Sequence, residues 1–501
     1  MIAAREKRPH MARELILILD FGDPSTLIAA RMIRAAKVYC EIMPHDTPVD
    51  VIRAKAPMGI VAVGGAQDID SENAPAFPLE LLKLGIPVLA IGYAARGLCV
   101  AQGGATAGKA IDSQVVDILI PKTELFAGLD SGARYIRRAD MLTLPSGYHS
   151  LAAVDGVTVA MKRDDSPVYA VQIIPEQNDM DCVFITANFA LKICKCSPSW
   201  TVQVFVDEAI EKIRAVVGSG RAIISMSGGV DSSVCAALVH RAIGNRLSCL
   251  FIDTGLMRKN EPDEVRRIFG ESLGINITLT NMAERFHDAL AQVTNSDEKR
   301  KTISAVMQQT ISEEAAKLSN IDYYVSGTIY RDVVSKRSTD ISREAISAGG
   351  FAGIIEPLRE LFKDEVRAVG EMLGLPAQII GRQPFPGAGL AIRCIGEVTA
   401  RKLELLREAD FIFRSEIESA GLAKSVWQYF AIITDMPDGR DNSHVIVLRA
   451  ANTADTAHSS IVRLPYELLI KVMDRITQEI PSISRVVYDL TGKPPANVEW
   501  E

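Results

Sequence analysis

Short apolar runs alternate with longer amphipathic stretches through most of the chain. Leu15 to Leu19, Gly59 to Val63, Val88 to Ile91 and Asp181 to Ile185 are such runs in the first two hundred residues. Four or five residues suit a buried strand, and the helical stretches between suit crossover connections. This alternation predicts a parallel α/β sheet, with any site at the carboxyl ends of its strands. The same grammar returns at Ala222 to Met226, Ser248 to Asp253, Ile275 to Thr280 and Tyr323 to Ser326. It then breaks at Gln383-Pro384-Phe385-Pro386-Gly387-Ala388-Gly389, a run that marks a linker or a tight ligand loop. Beyond it, strand-like runs at Phe430 to Thr434 and Val445 to Arg449 and a helical stretch from Tyr466 to Ile480 predict a smaller α+β domain. Three domains are therefore expected, over residues 12–198, 199–383 and 384–501.

Bulk composition narrows the function classes. A length of 501 residues accommodates three domains with cores of their own, and 48% hydrophobic with 23% charged residues is ordinary for a globular protein. A net charge of −7 argues against a general nucleic-acid surface. No apolar run approaches the roughly 20 residues that span a bilayer, and the charged start lacks a signal-peptide core, so a cytoplasmic location without a membrane partner is expected. The 8 cysteines are scattered, with no pair at zinc-site spacing, and are read as reduced, partly buried thiols.

Candidate chemistry enters at residues 225–234, Ser-Met-Ser-Gly-Gly-Val-Asp-Ser-Ser-Val. An apolar strand runs into this small-residue loop, and a helical pattern follows it. That geometry aims free backbone N–H groups and a positive helix end at one point, which suits polyphosphate. The Lys-Ser/Thr ending of a Walker A loop is missing, so transfer of the γ-phosphate is not the implied chemistry. Ser-Gly-Gly-x-Asp-Ser-Ser resembles instead the PP-loop of the ATP pyrophosphatases, which hold the β- and γ-phosphates as a leaving group and transfer AMP. The resemblance implies that Ser227, Gly228, Gly229, Val230, Asp231, Ser232 and Ser233 grip the phosphates of ATP, with Asp231 also helping to place Mg2+.

Further stretches resemble the GMP synthase family, whose members aminate xanthosine monophosphate (XMP) at the expense of ATP. They are Phe251-Ile252-Asp253-Thr254-Gly255-Leu256-Met257-Arg258, Gly327-Thr328-Ile329-Tyr330, Leu361-Phe362-Lys363-Asp364-Glu365-Val366-Arg367, and the terminal Gly492-Lys493-Pro494-Pro495-Ala496-Asn497-Val498-Glu499-Trp500-Glu501. The resemblance implies the order glutaminase, ATP pyrophosphatase and dimerisation domain, and hence a homodimer. It adds Asp253, Arg258 and Gly327 to the ATP site and makes Lys363 the cation facing the leaving phosphates. Arg393, Gln428, Arg485, Lys493, Val498 and Glu499 match positions that hold the purine nucleotide.

Three departures qualify the resemblance. The amino-terminal part is similar to a class I glutamine amidotransferase, yet Gly92 stands where that family has its nucleophilic Cys. Ile174 stands where it has the activating His, and Glu176 is left with nothing to orient. No thioester can form at a glycine. Cys99 lies about 10 Å further along the helix axis and is read as packing. Between Asp332 and Glu356 the lid is shorter than the family's and lacks its histidines, while Lys336, Arg337 and Arg343 either contact phosphate or form a solvated basic loop.

The expected reaction is adenylation of a carbonyl oxygen of XMP or a related purine nucleotide. An amine then displaces AMP, and its nitrogen comes from free ammonia, a separate ammonia source or another amine. Two alternatives remain at this point: a paralogue acting on a modified purine nucleotide, and a catalytically silent homologue that binds nucleotide for regulation or scaffolding.

Overall fold

The computed structural model describes residues 13–500 apart from 66, 72, 175–179, 273, 276, 319, 335–349, 437–442 and 454–458. It divides into two compact units, Met1–Thr201 and Val202–Glu501.

In the first unit nine strands form one sheet: β1 (Leu15–Asp20), β2 (Tyr39–Pro44), β3 (Gly59–Gly64), β4 (Val88–Gly92), β5 (Ala105–Ile118), β6 (Gly132–Thr143), β7 (Tyr148–Val154), β8 (Val157–Arg163) and β9 (Val168–Val171). Their order is β2-β1-β3-β4-β9-β8-β6-β5, with β7 on β8. The continuous apolar sequences of β1, β3 and β4 follow from burial on both faces.

Two expectations need correction. The sheet is parallel only across β2, β1, β3, β4 and β9; the strands from β5 to β8 are antiparallel. Asp155-Gly156 closes the hairpin from β7 to β8 with both residues at positive φ, 50° and 81°, the geometry of a two-residue turn that matches strand twist. Asp181 to Ile185, expected as a strand, belongs to the helix Met180–Asn188. The helix is tied down by an Arg134–Asp181 ion pair and by Thr186, whose hydroxyl donates back to the Cys182 carbonyl one turn earlier.

The second unit holds a five-stranded parallel sheet of β10 (Ala222–Met226), β11 (Leu247–Asp253), β12 (Ile277–Asn281), β13 (Tyr323–Val325) and β14 (Gly353–Ile355). The order β12-β11-β10-β13-β14 reverses direction at β10, which opens a crevice beyond its carboxyl end. A second sheet contains β15 (Gln428–Thr434), β16 (His444–Thr453), β17 (Ser459–Ile461) and β18 (Ile483–Tyr488), packed with the helices Ala400–Ser419 and Tyr466–Glu479. One continuous core serves both sheets, joining Leu250, Ile252 and Phe286 to Leu406, Phe413 and Ile446.

The outer edge of β15 is closed by groups from elsewhere in the chain. Tyr429 N donates to Gln383 Oε1 (3.0 Å), Ala431 N to Asp410 Oδ1 (3.2 Å), and Ile433 O accepts from Ile395 N (2.9 Å). The Gly/Pro-rich run after Arg382 thus lies along a strand whose edge would otherwise carry unpaired backbone groups. Among the described residues no helix is long and apolar enough to cross a membrane.

Candidate active site

β10 ends at Met226, and the chain turns through Ser227, Gly228 and Gly229 into the helix Val230–Ile243. Gly228 takes a φ of +70°, and a Cβ there would lie 2.9 Å from both Arg382 NH1 and Val265 Cγ2. Only glycine makes this turn without strain. The loop is braced internally: Ser227 Oγ lies 3.1 Å from Ser232 Oγ and accepts from Gly229 N (3.3 Å), and Ser232 Oγ donates to Gly229 O (3.2 Å). Val230 and Ser233 are buried beneath it. Gly327, just past β13, lets a neighbouring segment press against the loop, since a Cβ there would sit 3.2 Å from Ser232 N and 3.3 Å from Asp231 C.

Lys363 opens the helix Lys363–Met372 and reaches across to Asp231, its Nζ donating to both carboxylate oxygens at 2.7 and 2.8 Å. Glu365 holds that helix start by accepting from Phe362 N (2.9 Å). Loop, lysine and carboxylate face a cavity of about 690 Å³, bounded elsewhere by Arg258, Met307, Gln308 and Phe385. A cluster of backbone N–H groups, a helix N-terminus and an ammonium on one cavity wall is an arrangement for a polyanion.

Asp253 and Arg258, both expected at the nucleotide site, are each engaged by neighbouring groups. Asp253 does not line the cavity; its Oδ1 accepts from Gly255 N (2.9 Å) and fixes the turn after β11. Arg258 lines it but is 6% exposed, stacked on Phe385 at 4.3 Å and 3.5 Å from Asp410 Oδ2. Burial pushes its pKa down to about 9, with Asp410 opposing that shift and Arg414 and Arg393 adding to it, so it stays cationic at neutral pH.

A second cluster adjoins the first. Arg393, fully buried, donates from Nε to Glu499 Oε2 (3.1 Å), and Gln428 Nε2 reaches Glu499 Oε1 (3.3 Å). The Arg393 guanidinium lies 3.9 Å from the ring centre of Phe430 and 5.4 Å from that of Phe385. Its NH1 and NH2 are buried without a hydrogen-bond partner, so unspent donors remain in this cluster. Val498 packs against Phe430, Ile432 and Val447. The tail is anchored by Arg449, which pairs with Asp489 and donates to Thr491 O and Asn497 O (both 2.9 Å).

The structure does not bring Arg485 to this cluster. It is exposed on β18 opposite Val445, whereas Gln428 lies opposite Ala451. That separation along β16 amounts to about 20 Å at strand rise. Lys493 is held by backbone pairing with Ser459, 2.9 Å each way. Phe385 carries Arg258, expected on the ATP side, and Arg393, expected on the acceptor side, so the two clusters are contiguous. Sequence reasoning missed Arg382, Phe385, Asp410 and Arg449, although the Gly/Pro-rich run beside Arg382 marked the region.

In the first unit Gly92 ends β4 with φ +62°. A Cβ there would lie 2.1 Å from Gly64 O and 3.0 Å from Ile174 Cγ1. The space a side chain at residue 92 would take is therefore filled by a backbone carbonyl and an apolar side chain. Cys99 is fully buried, and burial pushes its thiol up to about 11. Glu176 and residues 335–349, the part of the lid that carries Lys336, Arg337 and Arg343, lie outside the described residues. Among the described residues no group of three or more His, Cys, Asp or Glu is placed to hold a metal ion.

Residues 17–187 match the model for glutamine amidotransferase class-I, 202–401 that for NAD synthase, and 415–500 that for the GMP synthase C terminal domain. The GMP synthase [glutamine-hydrolyzing] of Clostridium tetani is 42% identical, covering 98% of this chain and 100% of its own. Those of Clostridium acetobutylicum and Caldicellulosiruptor saccharolyticus are 40% and 41% identical with the same coverage.

Proposed function

Since this chain belongs to the GMP synthase family of ATP-dependent ligases, we propose that it adenylates a carbonyl oxygen of XMP or a related purine nucleotide and replaces AMP with ammonia, its glutaminase half being inactive. The observation that carries this reading is the glycine-serine loop facing Lys363 across Asp231, with the Arg393–Gln428–Glu499 cluster joined to it through Phe385.

The residues fit ATP. Gly228 and Gly327 keep side chains off the loop, and a cavity of about 690 Å³ stands in front of it. The N–H groups of Gly228, Val230, Asp231 and Ser232 and the ammonium of Lys363 would hold the β- and γ-phosphates, while those of Ser227, Gly229 and Ser233 brace the loop itself. The acceptor's carbonyl oxygen attacks the α-phosphorus, forming a new P–O bond as the bond to pyrophosphate breaks. Lys363 neutralises charge that grows on the leaving oxygens, where a positioned cation is worth most. Asp231 keeps that lysine aimed at the loop. Asp231 would help hold Mg2+, which would supply further neutralisation of the pyrophosphate.

Glu499 accepts from N–H groups of the base, and Arg393 and Lys493 offer cationic donors to the acceptor. Ammonia then forms the C–N bond while the C–O bond to AMP breaks, and a proton is released. Most of the rate enhancement in this scheme comes from positioning and charge neutralisation.

The glutaminase proposal rests on Gly92 and on the filled space around it. No side chain is available there for covalent attack on an amide, so the nitrogen comes from free ammonia or a separate source. We read the retained domain as structural, and residues 384–501 as the dimerisation surface; sedimentation of the purified chain as a monomer would remove the latter. The reaction is tested by incubating the protein with ATP, Mg2+, XMP and ammonium and measuring AMP. Absence of AMP with every purine nucleotide offered would overturn the proposal.

A further inference from the structure

Four consecutive residues touch both clusters of the site. Arg382 NH1 donates to Gly228 O (2.5 Å) and pairs with Glu261 Oε1 (3.0 Å), while its NH2 approaches Glu264 Oε2 (3.3 Å). Gln383 Oε1 accepts from Tyr429 N (3.0 Å) on the open edge of β15. Pro384 O accepts from Gln428 Nε2 (3.2 Å), the same amide group that reaches Glu499. Phe385 lies under the guanidinium of Arg258 and beside that of Arg393. All four residues line the cavity.

We propose that Arg382–Phe385 is a strap that fixes nucleotide and acceptor relative to one another, with Arg382 and Gln383 as its positioning residues. The inference rests on the reading of the loop as a phosphate site. A trans peptide sends its carbonyl and its N–H in opposite directions. Holding Gly228 O on Arg382 therefore turns Gly229 N toward the Ser227 side of the loop and keeps a carbonyl dipole off the anion. Arg382 divides its donors between that carbonyl and two carboxylates, so a phosphate arriving at the loop changes the balance of forces on it.

The strap is short and stiff. Four residues span at most about 14 Å when extended, and the proline within it fixes its own φ. Displacement at Arg382 is therefore passed on to Tyr429 and Gln428, which are already bonded to the next two residues. By linkage the effect is reciprocal: the acceptor must favour the same loop geometry that the nucleotide favours.

Tryptophan emission provides a readout that needs no turnover. The chain has 3 tryptophans; Trp427 precedes Gln428, Trp500 follows Glu499, and Trp200 lies in the first unit. In a Trp200→Phe chain, Mg2+ and α,β-methylene-ATP are titrated, with binding followed by calorimetry and emission recorded in parallel. The strap predicts an emission change that saturates with binding, and a several-fold tighter Kd for XMP when the analogue is present. Arg382→Lys keeps a charge but loses the fork, and Gln383→Met releases Tyr429 N, leaving the Pro384–Gln428 bond and the phosphate loop untouched. Both variants should lose at least half of the emission response and bring the effect of the analogue on XMP affinity close to 1-fold. If Arg382→Lys also loses nucleotide binding, Gln383→Met alone decides. An undiminished response in the variants, or saturating binding in the parent that leaves the emission unchanged, overturns the strap while leaving the phosphate site intact. A parent chain that binds no nucleotide removes the phosphate site and the strap with it.

Discussion

Lys363 and Asp231 are partly exposed partners, 34% and 29% by side chain, so their pairing contributes little to folding. In the proposed reaction their role is chemical. Lys363→Met and Asp231→Asn should each lower AMP formation by about 10²- to 10³-fold, the usual effect of removing a preorganised charge, while the melting temperature stays close to that of the parent. Unchanged turnover in either variant removes that residue from the reaction. The cysteines behave in the opposite way. Burial holds the thiols of Cys99, Cys196 and Cys249 up to about 11, 11 and 12, against an ordinary value of 9.0. Their folded pKa values exceed the unfolded ones, so the stabilisation is complete below pH 9 and is lost as pH rises through 11 to 12. The urea midpoint should therefore hold from pH 7 to 9 and fall above it, and Cys99 should resist iodoacetamide at pH 8 until the chain is unfolded. Rapid native alkylation of Cys99 would show that it is not packed as described. Legibility at this scale follows the backbone. Ser227 to Ser233 were readable because contiguous small residues define the loop, whereas Asp253 and Arg485 were not, since side-chain direction and strand register carry no local signal.

Gly92 carries the proposed loss of glutaminase chemistry at the level of one element. The turn from β4 into the helix Tyr93–Ala101 still has a positive φ, but the space in front of it is occupied by Gly64 O and Ile174. Gly92→Ala should lower the unfolding free energy by about 2 kcal/mol or more, combining the left-handed penalty for a Cβ with a backbone clash. Equilibrium urea unfolding measures this, and a neutral result would mean that Gly64 gives way freely. Gly92→Cys combined with Ile174→His should still release no glutamate from glutamine, because a Cβ at residue 92 meets Gly64 O. Among the elements, the apolar runs at β1, β3, β4 and β10 were legible from pattern alone. Asp181 to Ile185 was not, because a short apolar run fits a buried strand and a helix face equally. The antiparallel half of the first sheet was also missed, although Asp155-Gly156 between two alternating runs is a hairpin signal in its own right. Helix Ala400–Ser419, capped by the Thr399 hydroxyl accepting from Lys402 N, was not among the predicted elements.

At the scale of the whole molecule, every residue assigned to the ligase reaction lies in the unit Val202–Glu501. A fragment comprising that unit, in which one core serves both sheets, should fold and form AMP from ATP, XMP and ammonium at a rate within about tenfold of the full chain. A folded but inactive fragment would mean that the first unit contributes to the reaction. The most direct measurement of the central claim compares nitrogen donors on the full chain, with ATP, Mg2+ and XMP held constant and AMP and the aminated nucleotide followed by mass spectrometry. The account predicts stoichiometric AMP and product with ammonium and neither glutamate nor product with glutamine; product formed from glutamine at a rate matching ammonium, or no AMP with either donor, would contradict it.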